Sequence, residues 1–158
     1  MKQKVLFFIL IILLSFFYGC SNENSIFGNY EFKDVIFLSP LSSSTVDYMK
    51  DKMKGTKYTI QKDIFSISSK DNQYEILNPT YIKEKIDDNI IQDFNNAVFK
   101  DSISFNEYKE KYRYTIYTKN KQKAKYYLYS LDNELWIASY VDNTANKQDI
   151  IMYIFRIK

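Results

Sequence analysis

The sequence predicts a mainly β fold: an up-and-down antiparallel barrel of about eight strands with one or two short helices, preceded by an N-terminal signal helix. Three observations carry this expectation. From residue 30 onward apolar residues recur mostly at period two, the spacing of half-buried strands. Short polar turns separate these stretches, as in a meander of sequential hairpins. The chain is also 18% aromatic, with 15 tyrosines and 12 phenylalanines, types that suit a pleated surface. At 158 residues there is room for one core, and closing about eight strands into a barrel would remove their exposed edges.

The N-terminal segment is set aside before the fold is argued. Lys2 and Lys4 precede an apolar run over residues 5–17, interrupted only by Ser15. A helix needs roughly 20 apolar residues to cross a bilayer, so the run fits a signal-peptide core better than a span. It is apolar on every face, unlike a surface-packed helix. The run ends in Phe17-Tyr18-Gly19-Cys20, and Cys20 is the single cysteine of the chain. This ending resembles a bacterial lipobox, in which a small residue precedes a cysteine that is acylated and becomes the new N-terminus. The rival is ordinary cleavage after Ser21; no alanine occurs before Ala97 to offer an A-x-A site. Residues 1–19 are expected to be a lipoprotein signal peptide, 20–25 a lipidated tether and 26–158 the barrel domain. The protein is then exported and held on a bacterial membrane by acyl chains at Cys20, two or more of which give stable anchoring.

Within the body, Tyr30, Phe32, Ile36 and Leu38 mark the first strand, and residues 39–44 a loop containing Pro40. Residues 45–54 read as a helix with Val46, Met49 and Met53 on one side. Ser44 or Thr45 is its cap, and Gly55 stands where positive φ is needed. Strands follow at 56–60 and 64–68, then an extended stretch at 73–85 bent at Asn78-Pro79, since proline cannot donate to a ladder. Asp87-Asp88-Asn89 opens a second expected helix carrying Ile90, Ile91, Phe94 and Val98. Residues 99–110 carry no readable pattern. Strands are expected at 112–117, 124–131, 135–140 and 150–157, with a polar loop over 141–149.

Composition excludes several chemistries. Histidine is absent, which removes Ser/His, Cys/His and His-ligated metal schemes. One cysteine cannot form an internal disulfide, and three glycines cannot build a glycine-rich phosphate loop. The acidic residues read as caps and turns, Asp87-Asp88 and Asp132/Glu134 included. Neighbouring strand residues face opposite sides and do not make an acid/base pair. No catalytic residues, metal or cofactor are expected, and the protein is read as a non-enzyme. The net charge is +3, and removing Lys2 and Lys4 leaves the body nearly neutral. Only Arg113 and Arg156 are arginines, so a nucleic-acid partner is not expected either. The basic run 119–125 reads as a solvated hairpin tip.

Several short motifs resemble the lipocalin-like, or calycin, barrels of small bacterial lipoproteins. Gly28-Asn29-Tyr30 is similar to the Gly-x-Trp that opens their first strand. A helix, then Gly55-Thr56-Lys57-Tyr58-Thr59-Ile60, Asp63-Ile64-Phe65 and Asn78-Pro79-Thr80-Tyr81, follows their order. Tyr153-Ile154-Phe155-Arg156 resembles their closing strand, whose basic residue packs on the first-strand aromatic. The resemblance implies a barrel whose first and last strands are neighbours, with Arg156 over the ring of Tyr30. It also implies a small, partly apolar ligand in the barrel, surrounded by an inward set such as Tyr58, Phe65, Tyr114, Leu128 and Trp136. The competing expectation is a protein-binding module, an inhibitor or immunity-type protein, using exposed aromatics such as Tyr117, Tyr127 and Tyr129. A cavity of about 300 Å³ or more favours the first, and a filled barrel with an aromatic outer patch favours the second.

Overall fold

A computed structural model describes residues 25–87, 103, 105–143 and 148–158. The strands are β1 (Gly28–Leu38), β2 (Lys57–Ile60), β3 (Ile64–Ser68), β4 (Gln73–Leu77), β5 (Thr80–Lys85), β6 (Lys111–Tyr117), β7 (Lys123–Leu131), β8 (Glu134–Asn143) and β9 (Gln148–Ile157). One helix, α1 (Val46–Met53), lies between β1 and β2. Its cap is Thr45, whose hydroxyl accepts from the Tyr48 N–H at 3.2 Å, and Gly55 beyond its end takes φ +78°. Both follow from the sequence reading, because a side-chain oxygen and a left-handed residue satisfy the unpaired groups at helix ends.

The strands form one antiparallel, up-and-down, nine-stranded sheet in the order β4-β3-β2-β1-β9-β8-β7-β6-β5. Two sequential meanders are therefore joined along a seam between the first and last strands, as expected. β1 serves both. Gly28 to Glu31 pair with β2, and Phe32 to Leu38 pair with β9 through two register shifts. The strand bends at such shifts, and the β2–β4 meander lies over one face of the rest. Phe65 and Tyr74 meet Tyr126 there, with ring centroids 5.9 and 5.1 Å apart.

The expected barrel closure is not made. β4 and β5 end the sheet with no ladder between them, although only Asn78 and Pro79 separate them. Hydrogen-bond phase explains the open seam. The Asn78 N–H donates to the Asp63 carbonyl and the Ile86 N–H to the Lys111 carbonyl. Antiparallel ladders alternate bonded and non-bonded pairs, so these bonds fix which residues turn outward. On β4 they are Gln73, Glu75 and Leu77; on β5 they are Tyr81, Lys83 and Lys85. A two-residue turn would set outward-facing Leu77 opposite Thr80, which already faces β6, and the two edges would be out of phase. Asn78 takes φ +50° and the chain turns a corner instead.

Two further differences concern lengths. The expected polar loop at 141–149 is largely strand, since Val141, Asp142 and Asn143 pair with Ile150, Asp149 and Gln148. The second expected helix lies outside the described residues.

Strands β6–β9 are covered on both faces. One core joins Tyr58, Ile60, Phe65, Ile76, Ile116, Leu128, Ile137 and Phe155 between the two meanders. A second, on the opposite face of β6–β9, joins Tyr127, Tyr129, Trp136, Tyr140, Ile151 and Ile154 under Ile86 and Phe105 of the β5–β6 connection.

Candidate functional site

Four of the five residues expected around a ligand come together in the core between the meanders. Tyr58, Phe65, Tyr114 and Leu128 are all buried there, and Phe65 and Leu128 have no exposed surface. Among the described residues they belong to one cluster of buried side chains. Trp136 does not join them: it packs on Phe105 and Tyr108 in the second core, on the opposite face of the sheet. Strand alternation forces this, because Leu128 opposes Ile137 and Tyr129 opposes Trp136. The Tyr58 hydroxyl is buried without a hydrogen-bond partner among the described residues. Burial first, then the neighbouring Tyr153 and Tyr126 phenols, raise its pKa above the ordinary range.

The first and last strands are neighbours, but the expected contact between Tyr30 and Arg156 is absent. The Tyr30 ring packs against the core between the meanders, and its hydroxyl donates to the Ile26 carbonyl at 3.0 Å. Arg156 opposes Asp34 and Trp136 on the other face. Its Nε lies 3.3 Å from Glu134 Oε2, within ion-pair range but without hydrogen-bond alignment. Ile157 opposes Phe32, so strand alternation turns Arg156 to the face away from Tyr30 and Phe32, and the register shift after Phe32 sets it opposite Asp34.

The expected exposed aromatic face is not exposed. Tyr127 and Tyr129 are buried and Tyr117 is half-buried. Tyr127 instead centres a polar group on the second-core face. Its hydroxyl donates to Asp149 Oδ2, which also holds Lys123 Nζ at 2.6 Å. Tyr127 stacks on Tyr140 at 4.6 Å, and the Arg113 guanidinium lies 5.0 Å from the Tyr127 ring centre. Arg113 in turn bonds Glu84 at 2.8 Å. Burial, followed by the bond to Asp149, raises the Tyr127 pKa. Such phenols remain protonated and act as donors; they are poorly suited to serve as bases or nucleophiles near neutral pH. The group ties β5, β6, β7, β8 and β9 together. Among the described residues no three potential metal ligands converge.

A cavity of 310 Å³ does exist, but not in the core. It is an open depression over β1 and β2, lined by Asn29, Tyr30, Glu31, Lys57, Tyr58 and Thr59. Asn29 pairs with Thr59 and Glu31 with Lys57; these four side chains alternate with the core-facing tyrosines and so belong to the outer face. Phe65, Tyr114, Leu128 and Trp136 contribute nothing to it.

The open edge is the feature the sequence reading missed. Leu77 is 60% exposed at the end of β4, and Ile82 is 46% exposed within β5. Lys83 and Lys85 stand exposed on β5, with Lys83 Nζ 4.0 Å from the Tyr112 ring centre. The corner itself is closed over: the Tyr81 hydroxyl donates to the Gln61 carbonyl at 3.0 Å, and its ring meets Phe27 edge-on at 5.6 Å. The signal available in the sequence was the pair of alternate lysines at 83 and 85 beside a proline, features that mark edge strands. No protein-family model, curated protein or solved structure matches the chain.

Proposed function

We propose that this protein is exported, acylated at Cys20 and displayed on a bacterial membrane as a non-catalytic protein-binding module. The observation that carries the binding class is the burial of Tyr58, Phe65, Tyr114 and Leu128 as core side chains in one cluster. Four of the five residues expected to surround a small apolar ligand, all but Trp136, belong to one buried cluster, and the described cavity is an open depression over β1 and β2 of which Tyr58 alone of the five is a lining residue. A body that binds nothing inside offers its surface, and this surface ends in two sheet edges flanked by exposed Leu77 and Ile82. The anchor rests on the apolar run at 5–17 and on Gly19-Cys20 directly after it. The strand succession fits what the calycin resemblance implies, and it supports descent from such barrels with the ligand chamber filled. A small-ligand reading keeps one observation, the depression at Asn29, Glu31, Lys57 and Thr59, whose chemistry suits a polar molecule.

Native mass spectrometry of the protein released in detergent from its own envelope tests both parts. The expected spectrum shows a chain starting at Cys20, heavier by its acyl groups, with a second protein bound. A bound small molecule in place of a protein would overturn the binding reading. A Cys20→Ala protein that remains on membranes after washing, its N-terminus uncleaved, would overturn the anchor.

A further inference from the structure

Resting on the protein-binding reading, we propose that β5 is the docking edge and that it takes an extended segment of a partner, added antiparallel, with the pattern acid-x-acid-apolar. Tyr81, Lys83 and Lys85 turn their N–H and carbonyl groups away from β6, and among the described residues no ladder takes them up. Unused groups in a row are a template for another strand.

The side chains select the occupant. On β5 the one acidic group, Glu84, is committed to Arg113. The two lysines lie two residues apart on the other face, both exposed, and among the described residues Lys85 has no ion pair. Residues directly opposite one another across an antiparallel pair stand about 4.5–5.5 Å apart at Cβ, and opposite charges there attract. A partner strand running antiparallel therefore meets Lys85 first, then Lys83, and acidic residues two apart satisfy both. Its next residue falls opposite Ile82, which offers apolar surface. β4 makes a poorer dock because its single charge, Glu75, sits between Gln73 and Leu77. A second copy of this chain fits less well, since the register using all three outward residues sets Lys83 against Lys83 and repels.

The test uses the full-length acylated protein in detergent and two labelled peptides, Thr-Glu-Thr-Glu-Val-Thr and its counterpart with lysines for the glutamates. Fluorescence anisotropy should show saturable binding of the glutamate peptide, weakened by salt. The Lys83→Glu/Lys85→Glu protein should bind it about tenfold more weakly and bind the lysine peptide in its place. Lys83→Pro removes one outward N–H while leaving the β5–β6 ladder intact. It should abolish binding of the glutamate peptide without lowering the melting temperature. The proposal is overturned if the glutamate peptide fails to bind at millimolar concentration, if charge reversal leaves its affinity unchanged, or if β5 instead joins two copies of the chain in sedimentation. A natural partner that still binds the Lys83→Pro protein would remove the docking edge and leave the protein-binding reading standing. The lack of any protein partner in the native spectrum would remove that reading, while the peptide titration still decides the edge.

Discussion

Truncating Leu128 measures directly whether the interior is filled. Leu128 has no exposed surface and is flanked across the strands by buried Tyr114 on β6 and Ile137 on β8. In a packed site, Leu→Ala loses the transfer free energy of the removed carbons and leaves a cavity its neighbours fill only in part. Such changes cost about 3–4 kcal/mol. For a body of this size each kcal/mol moves the melting temperature by roughly 3–4 °C, so Leu128→Ala should melt about 10 °C lower. The assay is thermal unfolding of the protein beginning at Ser21, checked by urea titration for an unchanged slope. Leu77→Ala is the control: at 60% exposure it should stay within about 0.5 kcal/mol of the parent. A loss below about 1 kcal/mol at Leu128 would mean that this side chain borders open space. The filled-core reasoning would then fail and a ligand chamber would return as the better account.

The two kinds of buried tyrosine should respond in opposite directions to loss of the hydroxyl. Tyr127→Phe leaves Asp149 without its phenol donor and should cost about 1–2 kcal/mol, whereas Tyr58→Phe removes an unsatisfied group and should be neutral or stabilising by up to about 1 kcal/mol in urea titrations. Alkaline stability follows from the phenols of Tyr58, Tyr126, Tyr127 and Tyr129, each raised above the ordinary 10.0 chiefly by burial. The folded state keeps protons that the unfolded chain loses above that value, so their contribution is complete below pH 10 and declines as pH rises further. Tyrosinate absorbance for these groups should appear together with loss of far-ultraviolet circular dichroism; full ionisation of an intact fold would contradict their burial. Gly55→Ala should cost about 1 kcal/mol by thermal melting, because φ is +78° and no atom lies within 4 Å of the added carbon to compensate; an unchanged melting temperature would mean that the backbone relaxes there.

Much of the fold was legible because local rules decided it. Thr45 caps the helix, Gly55 ends it, and Asn78-Pro79 breaks the extended stretch at 73–85, each for a reason contained in a few neighbouring residues. What was not legible was which side of a strand faces which core. Period two tells faces apart only when one of them is polar. Tyr126 to Leu131 and Leu135 to Tyr140 carry large apolar groups on both sides because both sides are covered, so Trp136, Tyr127 and Tyr129 could not be assigned. The barrel closure failed for a related reason. The phase of hydrogen bonding between β4 and β5 depends on their outer neighbours, β3 and β6, which lie far apart in the sequence.

The seam between β1 and β9 also sets an order of events for folding. Glu31 and Lys158 exchange reciprocal backbone bonds at 2.9 and 3.0 Å, so the last residue of the chain is stitched to the beginning of the body. Every other pairing in the sheet joins strands adjacent in sequence, most of them across short turns, and none spans as much chain as the pairing of β1 with β9. β1 and β9 alone must find each other across nearly the whole body, which makes their docking the slow, late step on contact-order grounds. Until β9 is available to β1, the two meanders remain separate half-sheets. Cutting between residues 78 and 79 and joining Lys158 to Ser25 would turn that distant encounter into a hairpin, and the permuted body should fold faster into the same sheet.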